Sequence, residues 1–342
     1  MQITLFSEDK KLEWDSYVSD SPNASFFHLI SWKDIISRYS NHVPYYLYAF
    51  DHDKICGILP LFLSKNIFWG SALISIPFAV YGGVCGDTSA IEKALIDHGK
   101  EIAKQMNVDY LELRHYSHKS FDSFISKDLY VTFVKELPVS ADALWNILDR
   151  KARGAVRKGV KCGLKAEFNN ERLKEFYNIL SISYRNLGSP IISMKYLESL
   201  INCFSDRIKL LCIDHNHKMI SGVLTFFSNK SVMPYYGGSL PEAAQHSANN
   251  FMYWELMKLA CDQGFKYFDF GRSRIGSGSF NFKKNWGIEP KPLYYDYFLV
   301  GKKELPNFSP SNSKFAIARR IWHRLPLKLT TYLGPKLVPY FV

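Results

Sequence analysis

An internal repeat is the feature that most constrains the fold. The first half of the 342-residue chain reads YLYAFDHDKICGILPLF, then VYGGVCGD, a helical pattern and NVDYLELR. The second half reads LLCIDHNHKMISGVLTFF, then YYGGSLPE, a helical pattern and GFKYFDFG. The same order of strands, turn, paired glycines and helix recurs roughly 160 residues later. The order predicts a duplicated α/β unit, and chance similarity between two α/β units is the alternative.

Each copy is expected to begin with a hairpin, continue into a strand that ends at the paired glycines, and close with a helix and a buried strand. The helices are predicted near residues 88–106 and 249–263, and Gly264 should end the second one. The repeat aligns four pairs of residues: Asp51 with Asp214, Gly57 with Gly222, Tyr81 with Tyr236 and Tyr110 with Tyr267.

The composition excludes several classes of protein. The chain is 47% hydrophobic and 22% charged, as in ordinary globular domains. The N-terminal MQITLFSEDKKLEW is too charged for a signal peptide, and no apolar run approaches the length of a membrane span. The six cysteines form no C-x-x-C pair, and with the ten histidines they show no metal-ligand spacing. We expect a protein of the reducing cytosol without a metal site.

The net charge of +11 is concentrated in two segments. Residues 150–165 (RKARGAVRKGVKCGLK) hold seven Lys or Arg, residues 314–342 hold six, and neither segment contains an acidic residue. The rest of the chain is nearly neutral. Two basic regions on a neutral body predict anionic partners at two places.

The first basic region is predicted to be a helix within residues 141–166. Arg150, Arg153, Arg157 and Lys161 then form one stripe. Such a stripe is often only a solvated face, but seven cations without an acid favour phosphate binding, with Lys151 and Arg157 as contacts. The phosphates would belong to a tRNA backbone or to the pyrophosphate of a lipid-linked sugar. Aromatic base-reading motifs are missing, so sequence-specific nucleic-acid binding is not expected.

These patterns predict an α/β protein with mixed sheets in two tandem domains, residues 1–138 and 167–300. A basic helical segment, 139–166, separates the domains, and a polar linker with a basic amphipathic tail follows at 301–342. The tail mixes cations with aromatic residues, which suits peripheral contact with an anionic membrane. Folding of the tail back on the protein body is the alternative.

The most unusual stretch is FDFGRSRIGSGSFNFKKNWG, residues 268–287. Arg272 and Arg274 could grip a phosphate or carboxylate, although a structural ion pair would also explain them. Gly276 and Gly278 would let a ligand approach the backbone, but glycines also simply form turns. Asp269, on the polar face of its strand, is a candidate base for an attacking amine or an acceptor for N–H groups of the next turn.

Further candidates lie at both ends of this region. Lys283 and Lys284 would face opposite ways if their segment is extended, with Lys284 a second candidate for substrate contact. Trp286 could stack on a ligand or pack in the core. Tyr236 is a candidate proton donor to a leaving group, with a core role as the alternative. Of the two asparagines that open the second helix, one should be the N-cap, and Asn250 is a candidate ligand contact.

The strings RKARGAVRKGVKCGL, PYYGG, NNFMYWELMKLA and FDFGRSRIGSGSFNFKKNWG resemble the FemAB-related acyltransferases. The branch they resemble most is the FemAB family associated with the exosortase/PEP-CTERM system and exopolysaccharide loci. The resemblance covers roughly residues 25–300 and implies two GCN5-related N-acetyltransferase-like (GNAT) folds in tandem. It also implies that Lys283, at the FK position, is an inward cation that stabilises phosphate or oxyanion charge, and that backbone N–H groups near Tyr236 bind the acyl carbonyl.

Relatives in this family transfer amino acids from aminoacyl-tRNA to amines of lipid-linked peptidoglycan precursors. Acetyl-CoA-dependent GNAT proteins carry Arg/Gln-x-x-Gly-x-Gly/Ala after the central strand, where helix N–H groups hold the pyrophosphate. Here that loop reads YGGSLPEAAQHSANN and lacks the motif. The resemblance and this departure favour aminoacyl-tRNA, or another carrier-bound acyl group, as the donor over acyl-CoA.

The predicted function is N-acyl transfer, with direct amine attack, to a lipid- or nucleotide-linked glycan precursor at the inner face of the cytoplasmic membrane. No bound cofactor is expected, because the acyl donor is a co-substrate. One alternative is an acyl-CoA-dependent N-acyltransferase that acts on a soluble amine or sugar. Another is a non-catalytic assembly factor that binds glycan precursors through its basic surfaces.

Overall fold

The protein, described here as a computed structural model, divides into two compact units. The described residues are 1–52, 54–66, 70–117, 121, 123–228, 230–302, 304–305 and 313–340. Unit 1 consists of Met1–Tyr130 and Pro292–Asn307, and unit 2 consists of Val131–Lys291 and Phe308–Phe341. Unit 1 therefore includes a segment that follows most of unit 2 in the chain.

The described residues form strands and helices in both units. The strands are β1 (Gln2–Leu5), β2 (Val43–Asp51), β3 (Lys54–Asn66), β4 (Gly70–Ser75), β5 (Cys85–Gly86), β6 (Tyr110–His115), β7 (Ile125–Glu136), β8 (Lys165–Phe168), β9 (Ile208–His215), β10 (Lys218–Phe227), β11 (Ser231–Ser239), β12 (Tyr267–Asp269), β13 (Ser273–Arg274) and β14 (Pro290–Leu299). The helices are α1 (Lys11–Asp20), α2 (Ser31–Tyr39), α3 (Ser89–Gln105), α4 (Ala141–Ile147), α5 (Arg150–Lys161), α6 (Leu173–Asn186), α7 (Met194–Phe204), α8 (Ala248–Asp262), α9 (Gly278–Lys284), α10 (Ser313–Arg324) and α11 (Leu327–Leu337).

The strand pairings are mixed in both units. In unit 1 the order is β1-β2-β3-β4-β6-β14, with β4 and β6 parallel and the other pairs antiparallel. In unit 2 the order is β7-β12-β11-β10-β9-β8, with β11 and β12 parallel. Helices α3 and α8 follow the central hairpins, close to the predicted 88–106 and 249–263. Gly264 follows the end of α8 and has φ +75°. The prediction of an α/β protein with mixed sheets is confirmed.

The two hairpins of the repeat share a β-bulge, which corrects the sequence alignment by one residue. In unit 1 the pairing Ala49–Gly57 follows Phe50–Ile55, so Cys56 is the extra residue. In unit 2 the pairing skips Ile220 in the same way. These pairings make Gly57 equivalent to Ser221, not Gly222, and Asp51 equivalent to His215. The one-residue difference matters because it moves each side chain to the other face of the strand. Asp53, in the first predicted turn, lies outside the described residues.

The paired glycines also differ between the copies. Gly237 and Gly238 lie within strand β11, as predicted, whereas Gly82 and Gly83 lie in the loop between β4 and β5. That loop fills the region beyond the last parallel pair of β4 and β6, Ile74–Glu112. The N–H groups of Gly82 and Gly83 donate to the carbonyl of Arg114 at 3.2 and 2.9 Å, so the gap in unit 1 is closed by its own chain.

The predicted basic helix at 141–166 is two helices, α4 and α5, followed by strand β8. Helix α5 buries Ala152, Val156 and Gly159, which are spaced on one face, against α8. A Cβ on Gly159 would lie 2.8 Å from Cβ of Phe251, so a side chain there would force the helices apart. The basic side chains occupy the other faces of α5.

The C-terminal tail packs on unit 2. Trp322 Nε1 donates to the carbonyl of Ser189 at 3.0 Å, and a Cβ on Gly334 would lie 2.8 Å from the carbonyl oxygen of Ile191. Residues 303 and 306–312 of the predicted linker lie outside the described residues. Across the ranges that the structure describes, none of the helices is both long and apolar enough to cross a bilayer.

Candidate functional site

The candidate site lies where strands β11 and β12 of unit 2 separate. Their parallel pairing is limited to Ser231–Tyr267 and Val232–Phe268. A bulge at Tyr235 bends β11 away at this point, since Leu224 pairs with Tyr236 but the next residue, Thr225, pairs with Pro234. The chain continues from β12 into the segment 271–287, which we call the cationic loop.

Asp269, the last residue of β12, fastens the start of the cationic loop. The side chain is 3% exposed, and Oδ1 accepts hydrogen bonds from Thr132 Oγ1 at 2.6 Å and from the N–H of Gly271 at 2.8 Å. Gly271 has φ +72°, a conformation that favours glycine. Asp269 therefore acts as the acceptor for the following turn, one of the two roles predicted for it.

Lys283 points into the protein beneath the same turn. The segment around it is helix α9, so the extended conformation considered for Lys283 and Lys284 is wrong. Lys283 is 6% exposed, and its Nζ donates to the carbonyls of Gly271 at 2.7 Å and Arg272 at 3.1 Å. An ammonium has three donors. The third has no acceptor among the residues that the structure describes.

The pKa of Lys283 lies close to neutral pH. Burial lowers the pKa of Lys283 to about 8, Asp269 opposes that decrease, and Arg272 adds to it. A buried ammonium is suited to binding negative charge, because the low-polarity surroundings strengthen the interaction, and Asp269 helps to keep Lys283 protonated.

The predicted arginines, glycines and second lysine of the cationic loop are exposed or half-buried. Arg272 and Lys284 are exposed, and Arg274 is half-buried. A Cβ added to Gly276 or Gly278 would meet nothing within 4 Å. Gly276 has φ +77°, which explains a glycine there, but neither conformation nor packing requires one at Gly278.

Trp286 lies in an aromatic cluster on the α8 side of the sheet. Its side chain is 1% exposed, 5.8 Å from the ring of Phe270 and 6.5 Å from that of Phe282. Tyr253 of α8 stacks on Phe270 at 5.2 Å. Packing accounts for Trp286, and stacking on a ligand would require the ring to leave this cluster.

Tyr236 lies on the opposite side of the sheet. It is 7% exposed, and its hydroxyl donates to Tyr196 Oη on α7 at 3.3 Å. Burial raises the pKa of Tyr236 well above its ordinary value, so the phenol keeps its proton. Because Phe268 faces α8, the neighbouring Asp269 faces the same side of the sheet as Tyr236.

The start of α8 differs from the sequence expectation. The N-cap is Ser247, in a left-handed conformation, so neither asparagine caps the helix. Asn249 Oδ1 accepts a hydrogen bond from Ser239 Oγ at 2.6 Å, which ties the helix to β11. Asn250 is half-buried in the first turn.

Helix α5 lies next to the end of the cationic loop. Gly287, with φ +69°, would place an added Cβ 3.5 Å from Cβ of Asp149, the N-cap of α5. Lys151 is exposed near this junction. Arg157 is further along, with its guanidinium 5.5 Å from the centre of the Trp145 ring. The fold thus brings the first cations of the basic helix and the cationic loop together.

Thr132 was missed by the sequence analysis. It is fully buried on β7 and donates the shorter of the two hydrogen bonds to Asp269. A lone threonine in a strand, 137 residues from its partner, gives no motif that could reveal this contact.

A family model and a relative of known activity show what this chain is similar to. Residues 147–284 match the family described as an acetyltransferase (GNAT) domain, which runs from the end of α4 to Lys284 at the end of α9. The chain is 22% identical to the lipid II:glycine glycyltransferase of Staphylococcus epidermidis, over 83% of this chain and 90% of that protein. The chain is an acyltransferase that contains a GNAT domain.

Solved structures agree with the tandem architecture of this acyltransferase. The crystal structure of FemX matches with a TM-score of 0.66 at 16% identity, over 88% of this chain and 98% of that one. A tandem GNAT protein from the clavulanic acid biosynthesis pathway matches with a TM-score of 0.54 at 9% identity, over 89% and 99%. The prediction of tandem GNAT-like folds is confirmed.

Proposed function

We propose that this acyltransferase moves an aminoacyl group from tRNA to an amine of a lipid- or nucleotide-linked cell-envelope precursor. The buried ammonium of Lys283, fixed beneath the start of the cationic loop by the carbonyls of Gly271 and Arg272 and close to Asp269, carries this proposal. The relative named lipid II:glycine glycyltransferase supports an aminoacyl group as the transferred group and a lipid-linked precursor as the acceptor class. The resemblance to the exosortase/PEP-CTERM branch makes an exopolysaccharide precursor part of the same proposal.

The phosphates of carrier and acceptor would lie along the cations that unit 2 brings together. Lys151 at the start of α5 and Lys284 at the end of α9 are exposed near the contact between Gly287 and Asp149, and Arg272 is exposed at the start of the cationic loop. Arginine and lysine bind phosphate through charge-assisted hydrogen bonds. Gly278, which nothing nearby requires to be glycine, would let the ligand approach the backbone.

The transfer would be a direct attack. The amine nitrogen forms a bond to the acyl carbon, the bond from that carbon to the carrier oxygen breaks, and the proton lost by the amine ends on the departing oxygen. Lys283 would stabilise negative charge that develops on the acyl oxygen. Asp269 would accept the amine proton, and Tyr236, which keeps its proton until this step, would donate it to the leaving oxygen. The proton on Asp269 would then pass through solvent to Tyr236, so that overall one proton moves from the amine to the departing oxygen.

The carrier chain of a lipid-linked acceptor stays in a bilayer, so the enzyme would work at a membrane surface.

The segment between β11 and α8 is a 3-10 helix, Pro241–His246, and lacks the CoA-binding sequence motif. Aminoacyl-tRNA is therefore proposed as donor in preference to acyl-CoA.

Mass spectrometry of lipid-linked glycans from cells with and without the gene tests this function. We expect an aminoacyl mass to be missing without the gene and restored by the wild-type chain. Purified enzyme should transfer a radiolabelled amino acid from aminoacyl-tRNA to extracted precursor. Transfer from acyl-CoA but not from aminoacyl-tRNA would contradict the proposed donor. Full restoration by a combined Asp269→Asn, Arg272→Ala and Lys283→Ala variant would contradict enzymatic function.

The transfer rate should depend on the charge of Lys283. Because its pKa is about 8, kcat/KM is expected to fall as the pH rises above 8, approaching tenfold per unit. The Lys283→Arg variant keeps its charge in this range, so its remaining activity should not show this fall. The measurement is kcat/KM from pH 6 to pH 10 for both proteins. An identical alkaline fall in both would assign it to another group.

A further inference from the structure

The described part of the two tail helices packs on the rest of unit 2 through one face of each helix. Trp322 of α10 donates to Ser189, and Thr330 of α11 is 2% exposed. A Cβ on Gly188, next to Ser189, would lie 3.1 Å from Cβ of Arg319, so α10 passes close to the end of α6. These contacts hold the helices in place and leave their opposite faces open.

The outward faces carry large apolar side chains. Ile317 and Ile321 of α10 are 61% and 58% exposed, and Leu329 and Tyr332 of α11 are 39% and 63% exposed. Single exposed apolar residues are common on protein surfaces. Here, however, two exposed apolar side chains lie on each of two successive helices. Burial in the protein core does not account for them, because these side chains stay in water after the helices have packed.

Cations occupy the same outward faces. Arg320 and Arg324 lie three residues beyond Ile317 and Ile321, one turn along α10. On α11, Lys328 precedes Tyr332 by four residues, and Lys336 Nζ donates to the Tyr332 hydroxyl at 2.8 Å. The tail from residue 314 onward contains no acidic side chain to offset them. We call these eight residues the tail surface.

We propose that the tail surface binds an anionic phospholipid membrane while the inner faces of α10 and α11 stay packed on unit 2. Apolar side chains between cations suit a bilayer interface, where the first enter the acyl boundary and the second meet lipid phosphates. An RNA backbone would pair with the cations but leave both isoleucines in water. Helix α5 is different, because its outward faces are mainly cationic.

Vesicle co-sedimentation of the full chain tests this inference. Phosphatidylcholine vesicles that contain phosphatidylglycerol are expected to bind the protein, and pure phosphatidylcholine vesicles much less. The Arg320→Gln, Arg324→Gln double variant should bind the anionic vesicles about 30-fold more weakly. The Ile321→Ser, Tyr332→Ser double variant should lose about tenfold.

A matched control replaces exposed apolar residues elsewhere. Leu12 and Val139 are 86% and 98% exposed, and Leu12→Ser with Val139→Ser should leave vesicle binding unchanged. Circular dichroism checks that all variants are folded. Equal binding to both kinds of vesicle, or tail variants that weaken tRNA binding but not vesicle binding, would overturn the inference. Vesicle binding needs no acyl donor, so the result is independent of the proposed function.

Discussion

Replacement of Lys283 by methionine is expected to lower kcat/KM for acyl transfer about 100- to 1,000-fold, the usual effect of removing one preorganised donor from a developing oxyanion. Methionine has a similar length but cannot donate to Gly271 and Arg272 or present the third N–H to a ligand. The chain should still fold, because burial already disfavours the charged lysine. The measurement is the rate of transfer to extracted precursor, with thermal unfolding in parallel.

Lys266→Met is the matched control. Lys266 is an exposed lysine just before β12 in the same unit, so its loss should leave the rate within about twofold of wild type. Lys283→Arg should recover part of the activity, since it restores charge but not shape. A Lys283→Met enzyme with wild-type kcat/KM would show that Lys283 only supports the cationic loop.

Gly238→Ala is expected to destabilise the protein by about 2–3 kcal/mol. The new Cβ would lie 2.8 Å from Cα of Leu180 in α6. Main chain cannot rotate away as a side chain can, so α6 would have to shift from the sheet. A Cβ on Gly222, the partner of Gly238 on β10, would lie 2.8 Å from Cδ2 of Phe176 in the same helix, so both glycines set this helix–sheet distance.

The neighbouring Gly237 supplies the control. A Cβ there would meet Val223 Cγ2 at 3.6 Å, an ordinary contact, so Gly237→Ala should change stability by less than about 1 kcal/mol. Urea unfolding at neutral pH measures both variants. Equal stability of the two would mean that α6 yields without strain and that the predicted clash is wrong.

The sequence was most informative where periodicity and glycine position have direct physical consequences. The apolar pattern after the paired glycines predicted α8, and Gly264 marked its end because it takes a left-handed conformation. The repeat predicted two equivalent hairpins, but the two copies were aligned by matching residue types, Asp with Asp and Gly with Gly, and identical residue types do not mark equivalent positions in the strands. The alignment of Gly57 was therefore displaced by one.

Other features depended on contacts distant in sequence. The segment around Lys283 shows only a weak alternation of apolar and polar residues. It forms helix α9, and the Ser277 side chain caps the helix by accepting a hydrogen bond from the N–H of Phe280. The inward direction of Lys283 came from family resemblance, and its contact with Gly271 required coordinates. Thr132 and the pairing of β14 with β6 had no local signal, because both depend on how remote strands meet.

The position of β14 has a consequence for biosynthesis. Its residues pair with β6, from Tyr294–His115 to Leu299–Tyr110, although nearly all of unit 2 is translated between these strands. A nascent chain emerging from the ribosome can assemble the central hairpins of unit 2 before β14 has been made, so one edge of β6 is still unpaired at that stage. Unit 1, although it starts the chain, would then be the last to reach its complete form, and premature termination near residue 290 would leave an unpaired strand exposed to aggregation.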